Sequence, residues 1–269
     1  MPTGMQQMAL SGVIGALSHA LDIAEGQPPG HAVRSCLIGM RIAAEIDLDA
    51  SERSDLFYAL LLKDAGCSAN ANRMAALFAT DDRAAKASSK LIDWTDRRAT
   101  LLWSLRTAAP GAQLRHRVGV LRTIAAEDDV TRSFMEARCE RGAEIARMLF
   151  LSEQTAAGIR SLDEHWDGHG LPDGLRGDEI PLAARIACLA QTVEVFHASG
   201  GASAARAVAR RRRGRWFDPD LVDAFLSFSG EHAFWAQLES PDISQWEPPD
   251  HAIAIDDARL ERIAEAFAR

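Results

Sequence analysis

Lys63 and Asp64 stand side by side at the end of Leu56-Phe57-Tyr58-Ala59-Leu60-Leu61-Leu62, a run that is apolar on every side. A helix without a polar face is buried all round, and charges at its end are kept there only when paired or liganded. Far downstream, Asp163-Glu164-His165-Trp166-Asp167-Gly168-His169-Gly170-Leu171-Pro172 gathers more titratable groups. Carboxylates and neutral imidazoles are the donors that hold divalent cations. His165 and His169, however, flank Asp167 in a Gly-rich turn rather than on one helix face, so they read as surface or supporting groups. Arg185 carries a planar fork suited to a phosphate or a carboxylate. The favoured reading is that it holds the loop through Asp167 or Glu164. Cys67 and Cys139 would serve as a nucleophile or sensor pair only if nearby cations lowered their pKa values. The simpler reading makes both of them small buried hydrophobes.

The elements that must position these groups are helices. Ala156, Ile159 and Leu162 keep a helical period up to Asp167-Gly168, a turn dipeptide. A loop with Gly170, Pro172, Asp173-Gly174 and Gly177 follows, and Pro181 restarts a helix through Ala184, Ile186, Leu189 and Val193. Gly168 is expected at positive φ. Upstream, Met8 to Ile23 is amphipathic and closes at Gly26-Gln27-Pro28-Pro29-Gly30, and His31 opens a helix through Val33, Leu37, Ile38, Ile42 and Ile46. Asp49-Ala50-Ser51-Glu52 caps the helix that ends at Lys63 and Asp64. Residues 70 to 110 and the basic stretch after them (Arg97, Arg98, Arg106, Arg115, Arg117, Arg122) read as solvated helices, with contact to a phosphate or a partner as the alternative. Arg138-Cys139-Glu140-Arg141-Gly142 opens the helix that leads to the central stretch. Gly200-Gly201 interrupts a later helix, whose basic end, Arg210 to Arg213, reads as solvated and complementary to the helix dipole. The tail from Ser240 to Arg269 packs back on the bundle or mediates dimerisation.

Composition supports this picture. The chain has 269 residues, 47% hydrophobic and only 6% aromatic, and alternating β-branched runs are nearly absent. That length holds one large domain or two small ones. A net charge of −8 argues against general nucleic-acid binding. Cys36, Cys67, Cys139 and Cys188 show no CxxC spacing and read as reduced thiols. No apolar run reaches membrane-spanning length and no signal-peptide pattern is present, so a cytoplasmic protein with no membrane partner is expected.

Glu164-xx-Asp167-Gly168-x-Gly170-x-Pro172-x-Gly174-Leu175-x-Gly177-xx-Ile180, followed by Ala184-Arg185-Ile186, resembles the signature of the HD-GYP branch of the HD phosphohydrolases. The resemblance extends to His31 and to Asp64, which match the first His and the Asp of the family's metal site. It implies an all-α, HD-type helical bundle over residues 7–228 with a C-terminal helical appendage over 229–269. The family hydrolyses phosphodiesters at a two-metal centre. At its ligand positions this chain has His31, Lys63, Asp64, Arg138 or Cys139, Leu162, Asp163 and Gln191, of which His31 and Asp64 are matching ligands. Together with Glu164, Asp167 and Arg185 these residues, Leu162 excepted, define the expected pocket.

Counting ligands in this way yields a catalytically degenerate protein, with Lys63 in the place of a metal ion and no cofactor. It would bind a nucleotide-type ligand, another phosphorylated small molecule, a protein partner or a second copy of itself in a signalling role. The alternative is an active metal-dependent phosphodiesterase for a cyclic nucleotide or another phosphorylated small molecule. Its metal would be a single Fe, Mn or Zn on His31, Asp64 and Asp163, or Cys139. A second alternative is a purely structural or regulatory helical module.

Overall fold

The computed structural model describes residues 9–24, 26–67, 91–93, 102–103, 128–249 and 253–268. The expectations placed on residues 70–90 and on the basic stretch through Arg122 lie almost wholly outside them. Every regular element among the described residues is helical. In chain order these are α1 (Leu10–Ala24), α2 (His31–Glu45), α3 (Ala50–Leu62), α4 (Asp128–Met148), α5 (Glu153–Arg160), α6 (Leu182–Arg212), α7 (Pro219–Phe228), α8 (His232–Gln237) and α9 (Asp257–Ala268), with 3-10 turns at Gly177–Glu179 and Ile243–Gln245. No helix among the described residues is long and apolar enough to cross a membrane.

The boundaries follow local chemistry. The Asp49 side chain accepts from the Glu52 amide while Glu52 reaches back to the Asp49 amide, a reciprocal cap that starts α3. From Leu56 to Leu62 every residue of α3 is buried, as its all-round apolar composition requires. α3 packs between α2, α5 and α6. α6 departs from helical geometry at Gly200 and Gly201, and Gly201 has φ 70. Arg138 and Cys139 lie in the middle of α4 rather than at its start.

The C-terminal segment packs back. Phe234, Trp235, Leu238, Ile263 and Ala266 are buried in the same core as α2 and α3. Arg141 on α4 also donates to the Ala266 carbonyl at 2.7 Å. The basic end of α6 departs from expectation. Arg212 is 1% exposed, so the run Arg210–Arg213 is not solvated as a unit. Helical geometry turns its third member inward, against Trp216 and Phe196.

Candidate active site

His31 is the first residue of α2, and it is buried. The turn before it is fixed by Asp22, whose carboxylate accepts from the Gly30 amide at 2.7 Å and the Ala32 amide at 3.1 Å. Burial raises the Asp22 pKa, the Lys63 charge opposes that rise and the Asp64 charge adds to it, so all three groups share one neighbourhood. His31 Nδ1 bonds the carboxylate of Glu194 on α6, and Arg34 Nε donates to its other oxygen at 2.6 Å. Burial works against the Glu194 charge, but the bond and charge of His31 and the charge of Arg34 hold its pKa below the usual range. An ionised carboxylate can only accept, so Nδ1 carries the proton and the ring is held in one orientation.

Lys63 and Asp64 continue α3 into a turn. The Lys63 ammonium bonds the Asp64 carboxylate, and both residues are buried. Asp163 meets a second cation, since Arg138 Nη2 donates to its Oδ2 at 2.5 Å. Burial works against the Arg138 charge, yet Asp163 and the neighbouring Cys67, Cys139 and Asp64 hold its pKa well above the ordinary value. The two thiols lie beside the carboxylates: Cys67 Sγ is 3.8 Å from Asp64 Oδ1, and Cys139 Sγ is 3.9 Å from Asp163 Oδ2. Burial, followed by the Asp163 charge, pushes the Cys139 thiol up to about 12, so it is no nucleophile near neutral pH.

The loop is built on Glu164. Its buried carboxylate accepts from the amides of Asp173 (2.7 Å), Gly174 (3.1 Å) and Leu175 (2.9 Å). Gly168 has φ 81, as its turn requires. The Trp166 and Asp167 amides donate to the carbonyls of Trp216 and Arg215, which ties the loop to the end of α6. Arg185 does not hold Asp167 or Glu164. Its Nη1 donates to Asp178 at 2.9 Å and to Asp218 at 2.8 Å, with the guanidinium 5.6 Å from the Trp166 ring centre. Three amides of the loop already hold Glu164, and Asp178 and Asp218, the latter at the start of α7, are the carboxylates that Arg185 reaches. Gln191 is half-buried on α6.

His165 is not a surface group either. It is 7% exposed and stacks on Trp216 with ring centres 4.0 Å apart. Burial is the main reason that its pKa falls from 6.5 to about 4. The unfolded chain therefore takes up a proton between those values while the folded chain does not. This part of the stability is full above pH 6.5 and is lost as pH falls towards 4. Between pH 7 and roughly pH 4.5 the loss is expected to be about 2–3 kcal/mol. Urea unfolding of His165→Phe at both pH values should show a smaller drop than wild type by that amount, and equal drops would refute the assignment.

Two residues of the site, Glu194 and Asp22, escape a reading of the sequence. For Glu194 the available signal is a charged residue on the otherwise apolar face of Ile186, Leu189 and Val193.

Among the described residues, no three His, Cys, Asp or Glu side chains converge as a metal site. The carboxylates of Asp64 and Asp163 face an ammonium and a guanidinium, which oppose a bound cation. These donors do not fit a two-metal centre, nor do His31, Asp64 and Asp163 form a three-ligand group.

Residues 106–221 match the family model of the HD domain. The whole chain is 39% identical to 3′3′-cGAMP-specific phosphodiesterase 3 of Vibrio cholerae serotype O1, of which it spans 59%. A stretch equal to 23% of the chain is 42% identical to the cyclic di-GMP phosphodiesterase response regulator RpfG of Xanthomonas campestris pv. campestris, covering 18% of that protein. Among solved structures, a cyclic GMP-AMP-specific phosphodiesterase of V. cholerae superposes with a TM-score of 0.73 at 35% identity, over 96% of this chain and 59% of that one. Identity to a phosphodiesterase along the full chain overturns the expectation of a catalytically degenerate protein. The expectation of no cofactor falls with it.

Proposed function

Because the chain belongs to the HD-domain phosphohydrolase superfamily, we propose that it hydrolyses a phosphodiester bond of a cyclic dinucleotide, with a divalent metal as cofactor. The observation that carries this reading is the 39% identity, kept over 100% of the chain, to a phosphodiesterase specific for 3′3′-cGAMP. Glu164 and its three amide donors keep the loop in place beside Asp163 and Arg138. Arg138 is 15% exposed and, although paired with Asp163, offers a guanidinium beside the loop for a substrate phosphate. Such chemistry belongs to nucleotide signalling in the cytoplasm. The division of the chain near residue 228 into bundle and appendage is part of the same proposal.

The test is direct hydrolysis. Purified protein is incubated with 3′3′-cGAMP, and separately with cyclic di-GMP, with added Mn2+ or Fe2+ and with EDTA, and products are resolved by chromatography. The expected result is a linear dinucleotide from 3′3′-cGAMP, no product after chelation, and metal found by elemental analysis of protein purified without chelator. Folded protein that yields no linear product with either nucleotide and either metal would end this reading.

A further inference from the structure

Two guanidinia reach the loop from α4. Arg138 Nη2 donates to Asp163 Oδ2 at 2.5 Å, at the start of the loop. Arg132, six residues earlier on the same helix, is exposed and donates through Nη1 to the Pro172 carbonyl. The loop folds back between these two points, because the Leu171 amide donates to the Asp163 carbonyl at 3.0 Å. Pro172 therefore lies next to Asp163 in space, and both guanidinia meet one short strip of backbone. Glu164 fixes that strip from its other end by accepting from the Asp173 amide at 2.7 Å.

The two cations differ in what they face. Arg138 meets a carboxylate, which offsets its charge, whereas Arg132 gives an N–H to a neutral carbonyl, which does not. A guanidinium carries five N–H donors in a planar fork, so one bond to a carbonyl leaves the fork able to take an oxyanion. Arg160 reaches the same loop from α5, but its terminal nitrogens meet Glu140 and Asp173, each at 3.0 Å, and carboxylates already balance its charge. The six-residue spacing sets Arg132 and Arg138 about 9 Å apart along the helix axis, a separation that side chains of this length can narrow. A cyclic dinucleotide holds two phosphodiester groups on opposite sides of one small ring, so a substrate of that class presents two anions together.

We propose that Arg132 is a substrate-binding residue that takes one phosphate of a cyclic dinucleotide while Arg138 meets the other. The assignment rests on the phosphodiesterase reading and adds to it a second cation, at the Pro172 end of the strip.

Steady-state hydrolysis of 3′3′-cGAMP tests it. Arg132→Gln keeps an N–H donor for the Pro172 carbonyl and removes the charge, so a residue that only ties the loop would survive the exchange. The expected result is a KM about tenfold higher, the weight of one charge-assisted hydrogen bond, with kcat little changed. Arg132→Lys restores the charge and should recover part of that rise. Arg160→Gln loosens the same loop without removing a cation assigned to phosphate, and its KM should stay near that of wild type. The excess KM of Arg132→Gln over wild type should shrink as salt is added, because an exposed charge pair is screened.

A wild-type KM in Arg132→Gln, an equal rise in Arg160→Gln, no recovery with lysine, or an excess insensitive to salt would overturn the assignment and leave the phosphodiesterase reading in place. Wild-type protein that cleaves no cyclic dinucleotide would refute that reading, and the role of Arg132 with it.

Discussion

Replacing Lys63 by methionine is expected to lower the unfolding free energy by about 3–5 kcal/mol, the cost of stripping one partner from a buried ion pair. Lys63 is 2% exposed and Asp64 is 1% exposed, so water cannot take over from the ammonium. The loss reaches a second carboxylate, because Lys63 also opposes the burial-driven rise of the Asp22 pKa. Methionine conserves the length of the stem, so packing changes little. The double variant Lys63→Met with Asp64→Leu removes both charges and should recover most of the loss, since an apolar pair of similar volume is often as stable as the ions it replaces. Equilibrium urea unfolding of the two variants measures both numbers. A single-variant cost below about 1 kcal/mol would mean that the pair is solvated or unformed. Lys63→His exchanges a cation for a ligand-type side chain beside Asp64, and elemental analysis should then find more metal per chain than in wild type.

Much of the positioning framework can be read from local sequence, because the signals are local. The Gly26–Gly30 turn before His31, the Asp49 cap of α3 and the Asp167-Gly168 turn each act within a few residues, and each is where the sequence puts it. What escapes is partner choice across the chain. Arg185 had two carboxylates close by in sequence, Glu164 and Asp167, yet the backbone amides of the loop occupy the first and α7 brings in Asp218. Glu194 looks like a misplaced charge on an apolar face until α2 presents His31 and Arg34 to it. Arg212 is indistinguishable from its neighbours in a run of four arginines, and only the bend that follows, with Trp216 folding back on it, buries that one. The expectation of a degenerate protein fails for a related reason. A count of replaced ligands weighs residue types one position at a time, whereas identity to a phosphodiesterase is spread over the whole chain.

Gly66→Ala is the substitution expected to do most damage for its size. Gly66 lies in the turn after Asp64, pressed against α4, and a Cβ there would overlap the Arg138 carbonyl oxygen and sit 2.7 Å from the Gly142 amide nitrogen. Both are backbone atoms, so no rotamer change relieves the clash; either the turn or the helix must move. Overpacking that a core cannot absorb costs about 3 kcal/mol or more. The direction of the movement matters as much as its cost. Pushing the turn away from α4 separates Asp64 and Cys67 from Arg138, whose charge they support, and so disturbs both ion pairs of the site at once. The expected outcome is a destabilised protein whose residual folded fraction also loses most of the phosphodiesterase activity proposed above. Gly142→Ala provides the comparison. Its nearest neighbour would be the branch methyl of Ile159 at 2.7 Å, a side-chain atom rather than backbone, so it should cost less and leave the ion pairs in place. Urea unfolding alongside activity per folded molecule measures both effects. Equal costs for the two substitutions, or full specific activity in folded Gly66→Ala, would show that the close approach of the turn to α4 does not hold the site together.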